Sequence, residues 1–114
     1  MTPTTVVDSK DEIAIPQKFH LLQNNPNPFG MNGETAIQFE LPAESTVQLE
    51  IFNLLGERVA LLVDEKLAAG KHRKIWNARP IDGKRAAAGI YFYRLQAGSN
   101  LVKWTAVKKI VVLP

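Results

Sequence analysis

The chain has 114 residues, 46% hydrophobic and 22% charged, with a formal net charge of +3 and no cysteine. That length suits one domain burying roughly two-thirds of its unfolded surface, and excludes a two-domain enzyme with a cofactor cleft between its halves. The absence of cysteine excludes a disulfide scaffold, a thiolate metal site and a thiol nucleophile, and no apolar run approaches the ~18 residues of a membrane span.

The first 20 residues carry acidic and polar groups where a signal peptide needs an apolar core. The chain therefore reads either as cytoplasmic or as a piece of a longer precursor. Residues 1–14 are polar and aperiodic, and residues 1–18 are expected to form a flexible lead-in to a single domain over 19–114. Gln23–Gly33 is loop chemistry, with Pro26 and Pro28 removing backbone donors and Asn and Gly supplying turns. Alternation then begins. Ile37, Phe39 and Leu41 share one face of a strand over Thr35–Leu41, which Pro42 ends. Val47, Leu49 and Ile51 share a face over Val47–Phe52, opposite Gln48 and Glu50. Both read as half-buried antiparallel strands with Glu40 and Glu50 toward water.

Residues 57–69 are ambiguous. Val59, Leu62, Val63 and Leu67 fall at i, i+3, i+4 and i+8, the spacing of a helix built from good helix formers. A strand over 58–63 followed by a loop carrying Asp64-Glu65 fits as well. Gly70 closes the segment, Lys71–Trp76 is a weaker strand, and Pro80 with Asp82-Gly83 marks a turn. Ile90–Leu95 has apolar residues on both faces, the pattern of a strand buried on both sides or covered at one end. Gly98-Ser99-Asn100 is a hairpin loop before a last long strand over Leu101–Leu113. Six or seven short strands with turns every 8–12 residues predict an antiparallel β-sandwich.

Charge is unevenly spread. Residues 1–65 hold three basic against ten acidic side chains, net −7, and residues 66–114 hold eleven against Asp82 alone, net +10. The split marks either an anionic partner or acidic early strands lying beside basic late ones. The second is favoured, because antiparallel neighbours prefer opposite charges. Nucleic-acid binding would need Lys71, Arg73, Lys84, Arg85, Lys103, Lys108 and Lys109 on one face, and no reading motif accompanies them.

Catalytic chemistry finds no parts. His20 and His72 lack a carboxylate helper or a metal-binding spacing, Ser9, Ser45 and Ser99 lie in turns or the tail, and no phosphate loop occurs. The run Lys71-His72-Arg73-Lys74 reads as a solvated sheet edge, where cations discourage aggregation. No catalytic residue, metal site or cofactor is expected. Trp76 and Tyr91 should fill the core, leaving Trp104 as the aromatic most exposed to a glycan.

One ordered set of segments goes further. It runs from Gln23-Asn24-Asn25-Pro26-Asn27-Pro28-Phe29 through Thr35–Pro42, Leu55-Gly56-Glu57, Trp76-Asn77 and Gly89–Leu95 to Lys108-Lys109-Ile110-Val111-Val112. In order and spacing it resembles the C-terminal sorting domain of the type IX (Por) secretion system, and its middle is similar to the immunoglobulin-like domain of the flagellar hook-capping protein. The resemblance implies an immunoglobulin-like sandwich of about seven strands, with 58–63 a strand. It implies a non-enzymatic tail that takes an absent N-terminal passenger through the type IX translocon to the cell surface or medium. A sortase-like peptidase would cut before Phe19. By the same resemblance Gly89, Tyr91, Lys108, Lys109, Ile110, Val111 and Val112 carry the sorting signal. Lys74-Ile75 departs from the family pattern and predicts a local shift or bulge in the strand before Trp76. The alternative is a structural or carbohydrate-binding sandwich of a surface protein.

Overall fold

A computed structural model describes residues 15–30, 33–78 and 87–114. The lead-in over 1–14, the Pro80 and Asp82-Gly83 turn, and Lys84 and Arg85 lie outside the described residues. The fold is all-β: β1 (His20–Leu21), β2 (Phe29–Gly30), β3 (Thr35–Leu41), β4 (Ser45–Phe52), β5 (Arg58–Leu67), β6 (Gly70–Trp76), β7 (Gly89–Gly98) and β8 (Lys103–Leu113). They form two sheets, ordered β1-β3-β6 and β2-β8-β7-β4-β5. The inward residues of both meet in one core that holds Ile37, Phe39, Leu49, Trp76, Tyr93, Leu95 and Ile110. The sandwich expected from alternation is present. All strand pairs are antiparallel except β2 with β8, which run parallel.

The helix-like segment is a strand, and its spacing has a cause. β5 pairs with β4 along its length, with register shifts opposite Leu49/Glu50 and Ile51/Phe52. Each shift leaves one β5 residue without a partner, Leu62 between Leu61 and Val63, and Val59 between Arg58 and Ala60. A bulge lengthens the apolar repeat by one residue, so the buried Ala60 and Val63 lie three apart. Two bulges in one strand imitate a helical period. Asp64 and Glu65 accordingly belong to β5, exposed, and not to a connection.

The bulge expected before Trp76 does not occur. β3 and β6 stay in register from Thr35↔Trp76 to Leu41↔Gly70, and Ile75 simply faces outward, 38% exposed. β6 is an edge strand, and its Lys71 and Arg73 are exposed, as the cationic run implied. β7 is covered on one face only. Tyr91, Tyr93 and Leu95 are buried, whereas Ile90 is exposed and Phe92 half-buried. β7 ends at Gly98, whose φ of +153° and close approach to the Val102 carbonyl leave no room for a Cβ.

Glu50 corrects the expectation of a solvated carboxylate. It is on the outer face but only 5% exposed, because Arg58 and Arg94 close over it at 3.1 and 2.9 Å. The Arg94 guanidinium also lies 4.8 Å from the centre of the Phe52 ring. Burial pushes the Glu50 carboxyl up, but hydrogen bonds from Arg94 and Arg58, together with their charges, outweigh it and hold the group below its ordinary value of 4.5. A depressed carboxyl stabilises the fold above its unfolded pKa and ceases to as pH falls through its folded one. Thermal melts from about pH 7 to about pH 3 should show stability falling below about pH 4.5, with a shallower fall in Glu50→Gln. Glu40 likewise sits opposite Lys71 and 3.9 Å from His20, so early acids do lie beside basic neighbours.

Candidate functional site

The terminal segment is built into the sandwich. β8 pairs with β7 from Gly98↔Lys103 to Gly89↔Val112. Alternation divides the final motif between two environments. Ile110 and Val112 are buried at 0% and 1%, and Lys108 is half-buried on the same inward side. Lys109, Val111 and Leu113 face outward, with Lys109 and Leu113 exposed and Val111 half-buried. The five consecutive motif residues therefore do not form one surface. Trp104 is also on the inward side, half-buried, with one face stacked on Phe19 at 5.4 Å and 14°. It is still the least buried of the four aromatics Trp76, Tyr91, Tyr93 and Trp104.

The other edge of β8 is clasped by the segment that opens the domain. Phe19 meets Trp104, Gln23 Nε2 donates to the Lys109 carbonyl at 2.8 Å, and Asn27 Oδ1 accepts from the Val111 N–H at 2.9 Å. Phe29 and Gly30 then pair in parallel with Val112 and Leu113. A loop rich in Asn and Pro has few ladder hydrogen bonds to offer, so side-chain amides supply them instead.

Tyr93 fastens this clasp from below. Its hydroxyl donates to the Leu22 carbonyl at 2.6 Å and accepts from the Asn24 N–H at 2.8 Å. Asn24 is buried and its amide donates to Thr35 Oγ1 at 2.9 Å, while Thr35 donates to the Pro26 carbonyl at 2.7 Å. Burial, partly offset by the Asn24 hydrogen bond, pushes the Tyr93 phenol up to about 12. None of Gln23, Asn24, Asn27, Thr35 or Tyr93 stood out as a site residue in the sequence. The signal available was the density of amide side chains in a loop otherwise explained by its prolines.

Gly89 and Tyr91 open β7 opposite the end of β8. Gly89 has φ +144° with nothing within 4 Å of where a Cβ would stand, so its backbone, and not a shortage of space, requires glycine. Tyr91 is 6% exposed and donates to the Ala87 carbonyl at 2.6 Å. Its ring meets Trp76 edge-on at 5.5 Å, and Trp76 meets Phe29 at 5.8 Å. These rings tie β7, β6 and β2 into one aromatic row. Glycine and tyrosine at this point are structural parts of the corner from which β7 starts.

Among the described residues no group of three or more His, Asp or Glu is placed to hold a metal ion, and no helix is long and apolar enough to cross a membrane. Among the described residues the late basic side chains are divided between the two sheets. Lys71 and Arg73 are on β6 of one sheet, and Lys103, Lys108 and Lys109 on β8 of the other.

The model of a secretion system C-terminal sorting domain matches residues 25–113, from the clasp to the end of β8. Among solved structures, dimeric latent PorU from Porphyromonas gingivalis superposes with a TM-score of 0.67 at 18% identity, covering 83% of this chain and 9% of that one. PorZ of the same organism, a surface component of the type IX secretion system, gives 0.51 at 20%, covering 81% and 11%. FlgD from P. aeruginosa gives 0.58 at 14%, covering 85% and 68%. At these identities the likeness is one of fold, and the chain spans about a tenth of PorU and of PorZ. No curated protein sequence matches it.

Proposed function

Because the chain belongs to the secretion system C-terminal sorting domain family, we propose that it directs an N-terminally attached passenger through the type IX translocon to the cell surface or medium. It does so as a recognised shape, without catalysing a reaction. The observation that carries this reading is the reach of the family match, which from Asn25 onward takes in Asn27 and β2 of the clasp, the β7 corner and the terminal strand together. The fold suits the task. Phe19, where the chain enters, stacks on Trp104 of β8, so the point of attachment lies beside the terminal strand.

A sortase-like peptidase that removes the domain would cut before Phe19. Ile15, Gln17 and Lys18 are exposed there and precede the first strand, so hydrolysis leaves every strand pair intact. Deleting residues 108–114 from an exported fusion removes half of β8 and two core residues. The passenger is then expected to accumulate in the periplasm, as read by fractionation and immunoblot. Undiminished surface display of the truncated fusion would overturn the proposal.

A further inference from the structure

We propose that the export machinery reads the outer face of the β7–β8 hairpin as a two-stranded surface, and does not read the terminal motif as a linear tag. This rests on the sorting role proposed above and names its contact surface. Six outward side chains make it up: Ile90 and Phe92 from β7, and Val107, Lys109, Val111 and Leu113 from β8.

The register places them together. Ile90 is opposite Val111 and Phe92 opposite Lys109, with Arg94 opposite Val107 continuing the strip toward the middle of the sheet. Ile90, Val107 and Leu113 are 37%, 55% and 45% exposed, an apolar concentration that a solvated sheet face does not require. Gly30, paired with Leu113, adds no side chain to cover that end. Ile110 and Val112 are committed to the core, so half of the terminal motif is out of a receptor's reach. Ile90, Phe92 and Val107 lie outside the motif and supply the remaining apolar area.

Charge identifies the partner. Residues 87–114 contain no Asp or Glu. The nearest acid on this face, Glu50, is taken by Arg58 and by Arg94 itself. Lys109 makes no ion pair among the described residues and stands at the centre of the strip. The complementary surface is a protein face with apolar side chains around a carboxylate that meets Lys109. A lipid surface is a poorer fit, since anionic membranes are held by clusters of roughly four to eight cations and this strip presents one free lysine.

The test uses a reporter fused to the domain in a bacterium with type IX machinery, its surface fraction read by protease shaving. Val107→Glu/Lys109→Glu should cut that fraction about tenfold or more. Lys66→Glu/Arg73→Glu, a comparable charge change away from the strip, should leave it unchanged. Melting of each purified domain checks folding, and Lys109→Glu alone, at an exposed position, serves if the double variant unfolds. Export of the strip variants equal to the parent overturns the surface while leaving the sorting role standing. A parent fusion that stays inside the cell overturns the sorting role and the surface with it. Lys109-dependent sedimentation with phosphatidylglycerol vesicles would show that the strip meets a membrane, and overturns the protein partner.

Discussion

Ile110→Ala is expected to destabilise the domain by about 2–5 kcal/mol, whereas Lys109→Ala, one residue earlier, changes stability by no more than about 0.5 kcal/mol. Ile110 is 0% exposed and packs in the core shared by the two sheets, so truncation loses buried apolar area and leaves a cavity. Lys109 ends in solvent on the opposite face of the same strand. In thermal melts the first variant should fall by about 10 °C or more and the second should overlay the parent. Equal melting of the two would mean that β8 is not seated in the sandwich as described. The contrast also bears on sorting. Loss of export in Ile110→Ala follows from loss of the fold, and only outward substitutions report on recognition.

Tyr93→Phe should cost about 1–3 kcal/mol although it removes a single oxygen. That oxygen serves the Leu22 carbonyl and the Asn24 N–H at once, and Asn24 in turn holds Thr35. Deleting it leaves a buried donor, the Asn24 N–H, and a half-buried acceptor, the Leu22 carbonyl, without their partner beneath the clasp. Hydrogen exchange should locate the damage. The Val111 amide, bonded to Asn27, is expected to exchange faster, while amides of β4 change in proportion to global stability alone. A phenol raised from 10.0 to about 12 contributes full stability below its unfolded value and loses it as pH rises toward the folded one. The parent should therefore weaken between about pH 10 and about pH 12, and Tyr93→Phe should weaken less over that interval. An unaltered alkaline profile would show that the hydroxyl is not buried in the clasp.

β3 and β4 are legible in the sequence because each has one dry face and one wet one. β5 is not, since its two bulges convert a period of two into a spacing of three that only the β4 partner explains. β1 and β2 have two residues each, too few for any period, and exist because β3 and β8 offer them edges. Glu50 was placed on the correct face and in the wrong environment. Its cover comes from Arg58 and from Arg94, 44 residues away in the chain, and such cross-strand partners are invisible until register is known. The same holds for the candidate site. The motif residues were visible as a linear run, yet their division into Ile110 and Val112 inside and Lys109 and Val111 outside follows from pairing with β7. Trp104 is the least buried of Trp76, Tyr91, Tyr93 and Trp104, as its flanks Lys103 and Thr105 imply, but its partner Phe19, from the entering segment, is not visible in the sequence.

Whether this domain is a sufficient address for type IX export can be read from a single reporter. A periplasmic reporter joined to residues 15–114 is expressed in a bacterium with type IX machinery and in the same strain lacking its translocon. Protease-accessible reporter is expected on the surface of the first strain, and periplasmic retention in the second. Reporter retained in the periplasm of both strains, or displayed equally by both, would contradict the sorting role.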